Sequence, residues 1–263
     1  MASDELAPFL FEISSDLRLR ILEALAERPL KHAEIARRLS MTGSEATRHL
    51  NRLVTAGLLV KAARGEYAPT PLAAALRAGL PFFEFLTKYR PYLLAHNALA
   101  VGAPFAARLG ELRGGTLTRG MYDVVAVQEA AIRAARRRIW VITEQPFERA
   151  LPMFREKVAA GTDVRIVRPR GAIHAERAAA RPIERNYAVR LLDEVRFFLA
   201  VLDNTAGLCL PTPEGRIDMM DMLLLEDPEG CEWASDLFLR TWSRAREWRS
   251  PTGSTAPDQG RTN

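Results

Sequence analysis

Between His32 and Tyr67 the apolar positions follow first a helical and then a strand-like spacing. Ile35, Ala36 and Leu39 recur at i, i+1 and i+4, the buried face of a short helix. Ser-Met-Thr-Gly follows, and Thr42 with Glu45 makes a Thr-x-x-Glu capping box that opens a second helix. In that helix Ala46, Leu50, Leu53 and Val54 share the inward side. Ser44, Thr47, Arg48 and Asn51 are left outward at i, i+3, i+4 and i+7. After Gly57, residues 58–62 and 66–68 read as two strands around an Arg64-Gly65 tip. Upstream, Leu19, Leu22 and Leu25 bury a helix capped by Ser14 or Ser15 and stopped by Pro29. It follows a lead-in over residues 1–13 whose Phe9, Leu10 and Phe11 pack on a partner or on that helix. Downstream, Thr70-Pro71 opens a fourth helix over residues 72–78, with Gly79 and Pro81 as its end.

From Phe82 the pattern changes. Phe82, Phe85, Leu86, Tyr89 and Leu93 form an aromatic stripe at helical spacing. Periodicity shows that the stripe is buried but not against what: it is either the core of a second domain or a dimer helix. Residues 110–115 read as a loop. Val124, Val127, Ala131 and Ala135 then line a helix that runs into the strand 139–142. Leu151, Phe154 and Val158 line the next helix, Gly161 caps it, and 164–167 is the next strand. Strand, short helix, strand is a β-α-β unit and implies a locally parallel sheet. Residues 189–192, 197–202 and 208–210 supply further strands. Asp227-Pro228 opens a last helix centred on Ala234, Leu237, Phe238, Thr241 and Ala245, with Trp233 and Trp242 at its margins.

These elements predict an α+β winged helix-turn-helix over residues 1–80, a connecting helical region over 81–115 and an α/β regulatory domain over 116–249. A tail over 250–263, rich in Ser, Thr, Gly and Pro, is expected to be disordered. Hydrophobic residues make up 48% of the chain and charged ones 26%, enough for a sizeable core. The net charge of +5 permits an anionic partner without demanding one. The local figure is more telling: residues 14–70 hold ten Lys/Arg against six Asp/Glu, an excess of +4. Asp4 and Glu5 stand where a secretory signal would be positive, and the uncharged stretch 91–107 is too short to span a bilayer, so no membrane partner and a cytoplasmic location are expected. Cys209 and Cys231 have no C-x-x-C spacing, which argues against a disulfide framework or a zinc site.

The first domain resembles the ArsR-like winged helices. The remainder resembles the regulatory domain of archaeal transcription factors named for methanogenesis and filamentation control. The residues that carry this likeness are His96-Asn97, residues 105–112, Gly207-Leu-Cys-Leu-Pro211, Gly215-Arg-Ile-Asp218 and Trp233-Ala-Ser-Asp-Leu-Phe238. His96-Asn97 stands where the pattern has His-Asp, and His96 is read as a helix-end hydrogen-bonding residue. The β-α-β order also resembles the phospholipase-D-like domains, including those of TrmB-type regulators. In the enzymes of that group a His-x-Lys-x4-Asp motif supplies a histidine nucleophile and a phosphate-binding lysine. Counting back from Asp203, those two positions hold Arg196 and Phe198, so no phosphodiesterase is expected and a degenerate one is a distant alternative.

The winged-helix pattern points to double-stranded DNA. Ser44, Thr47, Arg48 and Asn51 are of the types that read base edges when a helix lies in the major groove. Arg52, Lys61 and Arg64 are expected on phosphates, with Arg38 as a lesser candidate. No catalytic residue, cofactor or metal is assigned. His32, His49, His96 and His174 form no close ligand pair, and the second helix lacks the paired cysteines of a thiolate sensor. The expected function is a homodimeric one-component transcriptional regulator whose second domain senses an effector or drives assembly. The alternative is a ligand-free architectural co-regulator. An effector should sit where the parallel strands end, at Thr143, Glu144, Arg168, Arg170 and Asp203, and clustered arginines favour a small anionic one. The competing reading pairs those arginines with Glu144, Glu184 or Asp203 at the surface.

Overall fold

The computed structural model describes residues 4–145, 150–171 and 186–248, and it divides into two compact units, Met1–Pro81 and Phe82–Asn263. The expected tail, His174 and Glu184 lie outside the described residues.

The first unit is a winged helix. Its helices are α1 (Leu6–Ile13), α2 (Asp16–Glu27), α3 (His32–Arg38) and α4 (Gly43–Thr55). Strands β1 (Leu30–Lys31), β2 (Leu59–Lys61) and β3 (Glu66–Pro69) form a small antiparallel sheet in the order β1-β3-β2. The core joins Ile21, Leu25, Leu30, Ile35, Leu50, Leu53 and Leu58, each at most 1% exposed. Two features depart from the sequence reading. The lead-in contains the helix α1, and Val54 is 38% exposed while His49 takes the inward place. Positions 46, 49, 50 and 53 complete an i, i+3, i+4, i+7 face, which leaves position 54 at its edge.

The fourth helix does not stop at Gly79. α5 spans Pro71–Lys88 with Pro81 inside it. A mid-helix proline costs about 3 kcal/mol, and burial of the aromatic residues beyond it offsets that loss. Phe85 and Tyr89 are 1% and 4% exposed, and each such side chain contributes about 1.5–3 kcal/mol by leaving water.

The aromatic stripe therefore packs into the core of the second unit through Phe85 and Tyr89. Phe85, Tyr89 and Tyr92, the last on α6 (Arg90–Ala95), pack in one cluster with Trp233 and Phe238 of α10 (Pro228–Arg244). Trp233, expected at the margin of that last helix, is wholly buried at its centre. Asp227 caps α10 by accepting from the Gly230 amide at 2.9 Å. A short α7 (Ala103–Ala106) follows α6, and residues 110–112 of the expected loop 110–115 lie in a 3-10 turn over Leu109–Leu112 with Leu109 and Leu112 buried.

The second unit is built on an eight-stranded mixed sheet. Its strands are β4 (Thr116–Arg119), β5 (Arg138–Ile142), β6 (Asp163–Pro169), β7 (Tyr187–Leu192), β8 (Phe198–Leu202), β9 (Thr205–Cys209), β10 (Asp221–Leu225) and β11 (Arg246–Glu247). Their order is β11-β7-β6-β5-β8-β9-β10-β4. β5, β6 and β7 are parallel, and β8 returns antiparallel beside β5. Helices α8 (Met121–Ala134) and α9 (Leu151–Ala159) pack on one face and α10 on the other. Gly161, at φ +88° in the left-handed region, ends α9 as expected, its amide bonded to the Val158 carbonyl at 2.9 Å. β4, β10 and β11 have weak patterns of their own, and their pairing in the sheet supplies what the pattern lacks.

Residues separated in sequence by more than a hundred positions meet in this core. His96 Nδ1 donates to the Tyr92 carbonyl at 2.8 Å, a helix-end bond, and Nε2 lies 3.1 Å from Asp218. The Leu210 amide donates to the Tyr92 hydroxyl, and the Trp233 indole N–H donates to the Phe105 carbonyl. The segments that carry the likeness to archaeal regulators thus brace one face of the sheet.

Candidate nucleic-acid interface and effector cavity

The capping box forms as the spacing requires. The Glu45 amide donates to Thr42 Oγ1 at 3.3 Å, and the Thr42 amide donates to Glu45 Oε2 at 2.9 Å. Those bonds, the Thr42 backbone amide first and its hydroxyl second, hold the Glu45 carboxyl below its usual range. They fix the entry angle of α4 and so present its outer face.

On that face Ser44, Arg48 and Asn51 are exposed, and no side-chain hydrogen bond ties Arg48 or Asn51 among the described residues. Thr47 is also exposed, but its hydroxyl donates to the Gly43 carbonyl at 2.9 Å and accepts from His32 Nε2 at 2.9 Å. Its methyl and remaining lone pair are what it can offer a ligand. His32, at the start of α3, thereby ties the two helices together across the turn, also reaching the Gly43 carbonyl at 3.1 Å. Spacing alone gave His32 no role, because the contact crosses from one helix to the next.

The basic residues separate into two groups. Lys61 and Arg64 are exposed on the wing, Lys61 with its ammonium 5.8 Å from the Tyr67 ring centre. Arg52 is differently placed. Its guanidinium forks onto Glu12 of α1, with Nε 2.9 Å from Oε2, and lies 5.2 Å from the Phe11 ring centre. The bonds to Arg52 lower the Glu12 carboxyl and raise the guanidinium. Arg38 likewise pairs with Glu27 at 2.9 Å. Each is thus held by a carboxylate from a neighbouring helix, unlike Lys61 and Arg64 of the wing.

His49 lies beneath this face, 7% exposed, with neither ring nitrogen hydrogen-bonded among the described residues. Burial first, and the Arg48 charge second, push its pKa below the ordinary 6.5.

In the second unit, strand alternation sorts the side chains. Ile139, Val141 and Thr143 follow one face; Trp140 and Ile142 follow the other. Register places Val141 between Ile166 and Ala200 across three strands. That row floors a cavity of about 710 Å³ bounded above by α8 and α9. Thr143, Glu144 and Arg168 of the expected effector set line it, and Arg168 is 2% exposed.

Arg170 and Asp203 do not belong there. Arg170 pairs with Asp193 at 3.0 Å in an exposed bridge. Asp203 follows β8, which runs antiparallel, so it lies at the opposite end of the sheet. There its carboxylate accepts from the backbone amides of Arg136, Arg137 and Arg138 at 2.8, 3.0 and 2.9 Å. Burial raises the Asp203 pKa, but these three donors outweigh it and the net shift is downward.

Phe198 lines the cavity where the enzyme pattern would place lysine, and Arg196 pairs with Glu194 at 2.8 Å. No cluster of His, Cys, Asp and Glu able to hold a metal occurs among the described residues. Both cysteines are buried, and burial pushes their thiols upward, away from the reactive thiolate. No helix among the described residues is long and apolar enough to cross a membrane.

The fold and the exposed face of α4 define a winged helix. Residues 15–61 match the family model described as bacterial regulatory protein, arsR family. Among solved structures the chain is similar to TrmBL2, an archaeal chromatin protein whose structure shows a novel mode of DNA binding. That match has 14% identity over 94% of this chain and 100% of that one, with a TM-score of 0.44. The phospholipase D family member Nuc from Salmonella typhimurium matches at 20% identity over 52% of this chain and 99% of its own, TM-score 0.39. NucT from Helicobacter pylori matches at 15% over 51% and 98%, TM-score 0.41. No curated protein matches the chain.

Proposed function

We propose that the protein is a sequence-specific DNA-binding transcriptional regulator of the one-component kind. α4 enters the major groove, with Arg48 and Asn51 reading base edges and Ser44 and Thr47 in supporting contacts. Lys61 and Arg64 of the wing meet phosphates. The protein acts as a two-fold dimer on an inverted repeat, the arrangement that winged-helix readers of two half-sites adopt. The α/β unit senses a small effector. The observation that carries this reading is the outer face of α4, where Arg48 and Asn51 are left uncommitted while Arg38 and Arg52 nearby already pair with carboxylates. The cavity favours a sensor over an architectural co-regulator, which needs a surface and not an internal space.

Selection from a random duplex library followed by gel-shift titration at two salt concentrations tests the reading. Arg48→Ala should relax base preference and cost ~1–3 kcal/mol. Arg64→Ala should weaken binding to all sequences alike and lower the salt slope by about 0.9. Wild-type behaviour in both variants would remove α4 and the wing from the interface.

A further inference from the structure

The cavity of the α/β unit is an apolar space whose charged neighbours are either engaged or in water. Its floor is the row Ile166, Val141 and Ala200, and Phe154 and Ile132 close it from the helices. Ala200 is the smallest of the floor residues, and its short side chain leaves space that a leucine would occupy. At the mouth stand Met121 and Tyr122, both exposed, so the apolar lining continues to the surface.

Among the described lining residues three are charged, and none offers a ligand a bare buried charge. Arg168 is buried but already has an interaction partner within the protein. Glu129 pairs with Arg133 at 2.8 Å, and Glu144 is exposed to water, as is Gln145 beside it. Thr143 has its hydroxyl proton on the Gln145 carbonyl at 2.8 Å. Gln128 of α8 is different. It is 7% exposed, and its amide nitrogen reaches the Met222 sulfur at 3.5 Å, a weak acceptor. Among the described residues that is the one hydrogen bond its amide group makes. A primary amide carries two N–H donors and a carbonyl acceptor, so a donor and the acceptor remain for a ligand in the cavity that Gln128 lines.

An ionised ligand carried between such walls gives up its hydration and meets no unpaired buried countercharge among these residues. A sugar fails for a related reason: each of its hydroxyls needs a partner, and walls of Val, Ile, Phe and Ala supply none. An apolar body gains by leaving water, and one hydroxyl or carbonyl group on it can meet the Gln128 amide. We infer that this cavity binds a neutral, largely apolar small molecule carrying a single hydrogen-bonding group, with its body between α8, α9 and the sheet and that group on Gln128. The volume falls in the range of about 300–1,000 Å³ that holds compact organic ligands. This class replaces the anionic effector that clustered arginines suggest, since Arg170 pairs with Asp193 and Arg168 has its partner within the chain. The inference rests on the sensor half of the function proposed above and names the class of effector.

The test uses the full chain with the uncharged fluorophore N-phenyl-1-naphthylamine as probe. Its competitors share one ring system: 2-naphthalenemethanol, 2-methylnaphthalene, 2-naphthoic acid and 2-naphthylmethylamine. The probe should saturate at one per chain. The alcohol should displace it at a concentration at least tenfold lower than either the acid or the amine, which are charged at pH 7. Gln128→Leu, close to the original in size, should cut the alcohol's affinity about tenfold relative to that of 2-methylnaphthalene. Val125→Trp, at a half-buried wall position on α8, and Ala200→Leu, on the floor, should each weaken the probe tenfold or more. If one variant fails to fold, the others and the wild-type order of competitors still decide. Unsaturable probe binding, an acid or amine that competes as well as the alcohol, a folded Gln128→Leu protein with the ratio of alcohol to hydrocarbon unchanged, or folded filling variants that bind like wild type would each overturn the inference. Gel shifts on the same preparations separate the two proposals. Failure to bind selected DNA with the cavity results intact removes the regulator reading alone, and DNA binding without cavity binding removes this one alone.

Discussion

Asp203 is the residue on which a ligand role and a structural role give opposite results. It sits at φ +49°, the left-handed region, in the turn between β8 and β9. One carboxylate oxygen accepts from the Arg136 amide and the other from the amides of Arg137 and Arg138. Asp203→Asn can keep its oxygen toward the last two donors but turns an NH2 group on the first. One charge-assisted hydrogen bond is lost, about 1.5–3 kcal/mol. Asp203→Ala loses all three and also meets the steric penalty of the left-handed conformation, another ~1–2 kcal/mol that Asn largely escapes. For a unit of this size 1 kcal/mol moves Tm by roughly 2–4 °C, so Asp203→Asn should melt roughly 3–12 °C early and Asp203→Ala earlier still. The pH dependence has a definite sign. The folded pKa is depressed, so the stabilisation is complete above the unfolded value near 3.9 and is lost as pH falls through the lower folded value. The gap between wild type and Asp203→Asn should therefore be constant from pH 5 to 8 and close below about pH 4. Calorimetric melts across that range measure it. An Asp203→Asn protein that melts within 1 °C of wild type, or that loses probe binding without losing stability, would return Asp203 to the ligand site.

Three further outcomes are expected. His49 is buried and neutral, so the unfolded chain takes up its proton first. Winged-helix stability should be full above about pH 6.5 and fall as pH drops below it, and urea midpoints at pH 7.5, 6 and 5 should show a slope that His49→Leu flattens. Phe85→Ala should cost the α/β unit about 3–5 kcal/mol in urea melts while leaving the mass by light scattering unchanged; a changed mass without lost stability would restore the dimer helix. Arg52→Ala should destabilise the winged helix by about 1 kcal/mol or less and leave the salt slope of DNA binding intact, because Glu12 already holds the guanidinium. A slope lowered by about one with stability unchanged would put Arg52 on a phosphate.

What was legible in the sequence was local. The capping box of Thr42 and Glu45, the Asp227-Pro228 start of α10, the Gly161 stop and the β5-α9-β6 unit all rest on interactions within a few residues or on a period that one segment displays by itself. The outward position of Ser44, Thr47, Arg48 and Asn51 was legible for the same reason, since helical geometry alone fixes which side chains share a face. Tertiary structure decided everything that depended on a partner far along the chain. It assigned Phe85 and Tyr89 to a core completed by Trp233 and Phe238, and that burial carried α5 through Pro81. It neutralised Arg52 with Glu12, forty residues away. By returning β8 antiparallel it sent Asp203 to one end of the sheet and left Arg168 at the other. The cavity is the clearest case: period-2 alternation already placed Val141, Ile166, Arg168 and Ala200 on defined faces of their strands. Only strand order and register bring those faces into one row under two helices, because a space between side chains belongs to no single segment.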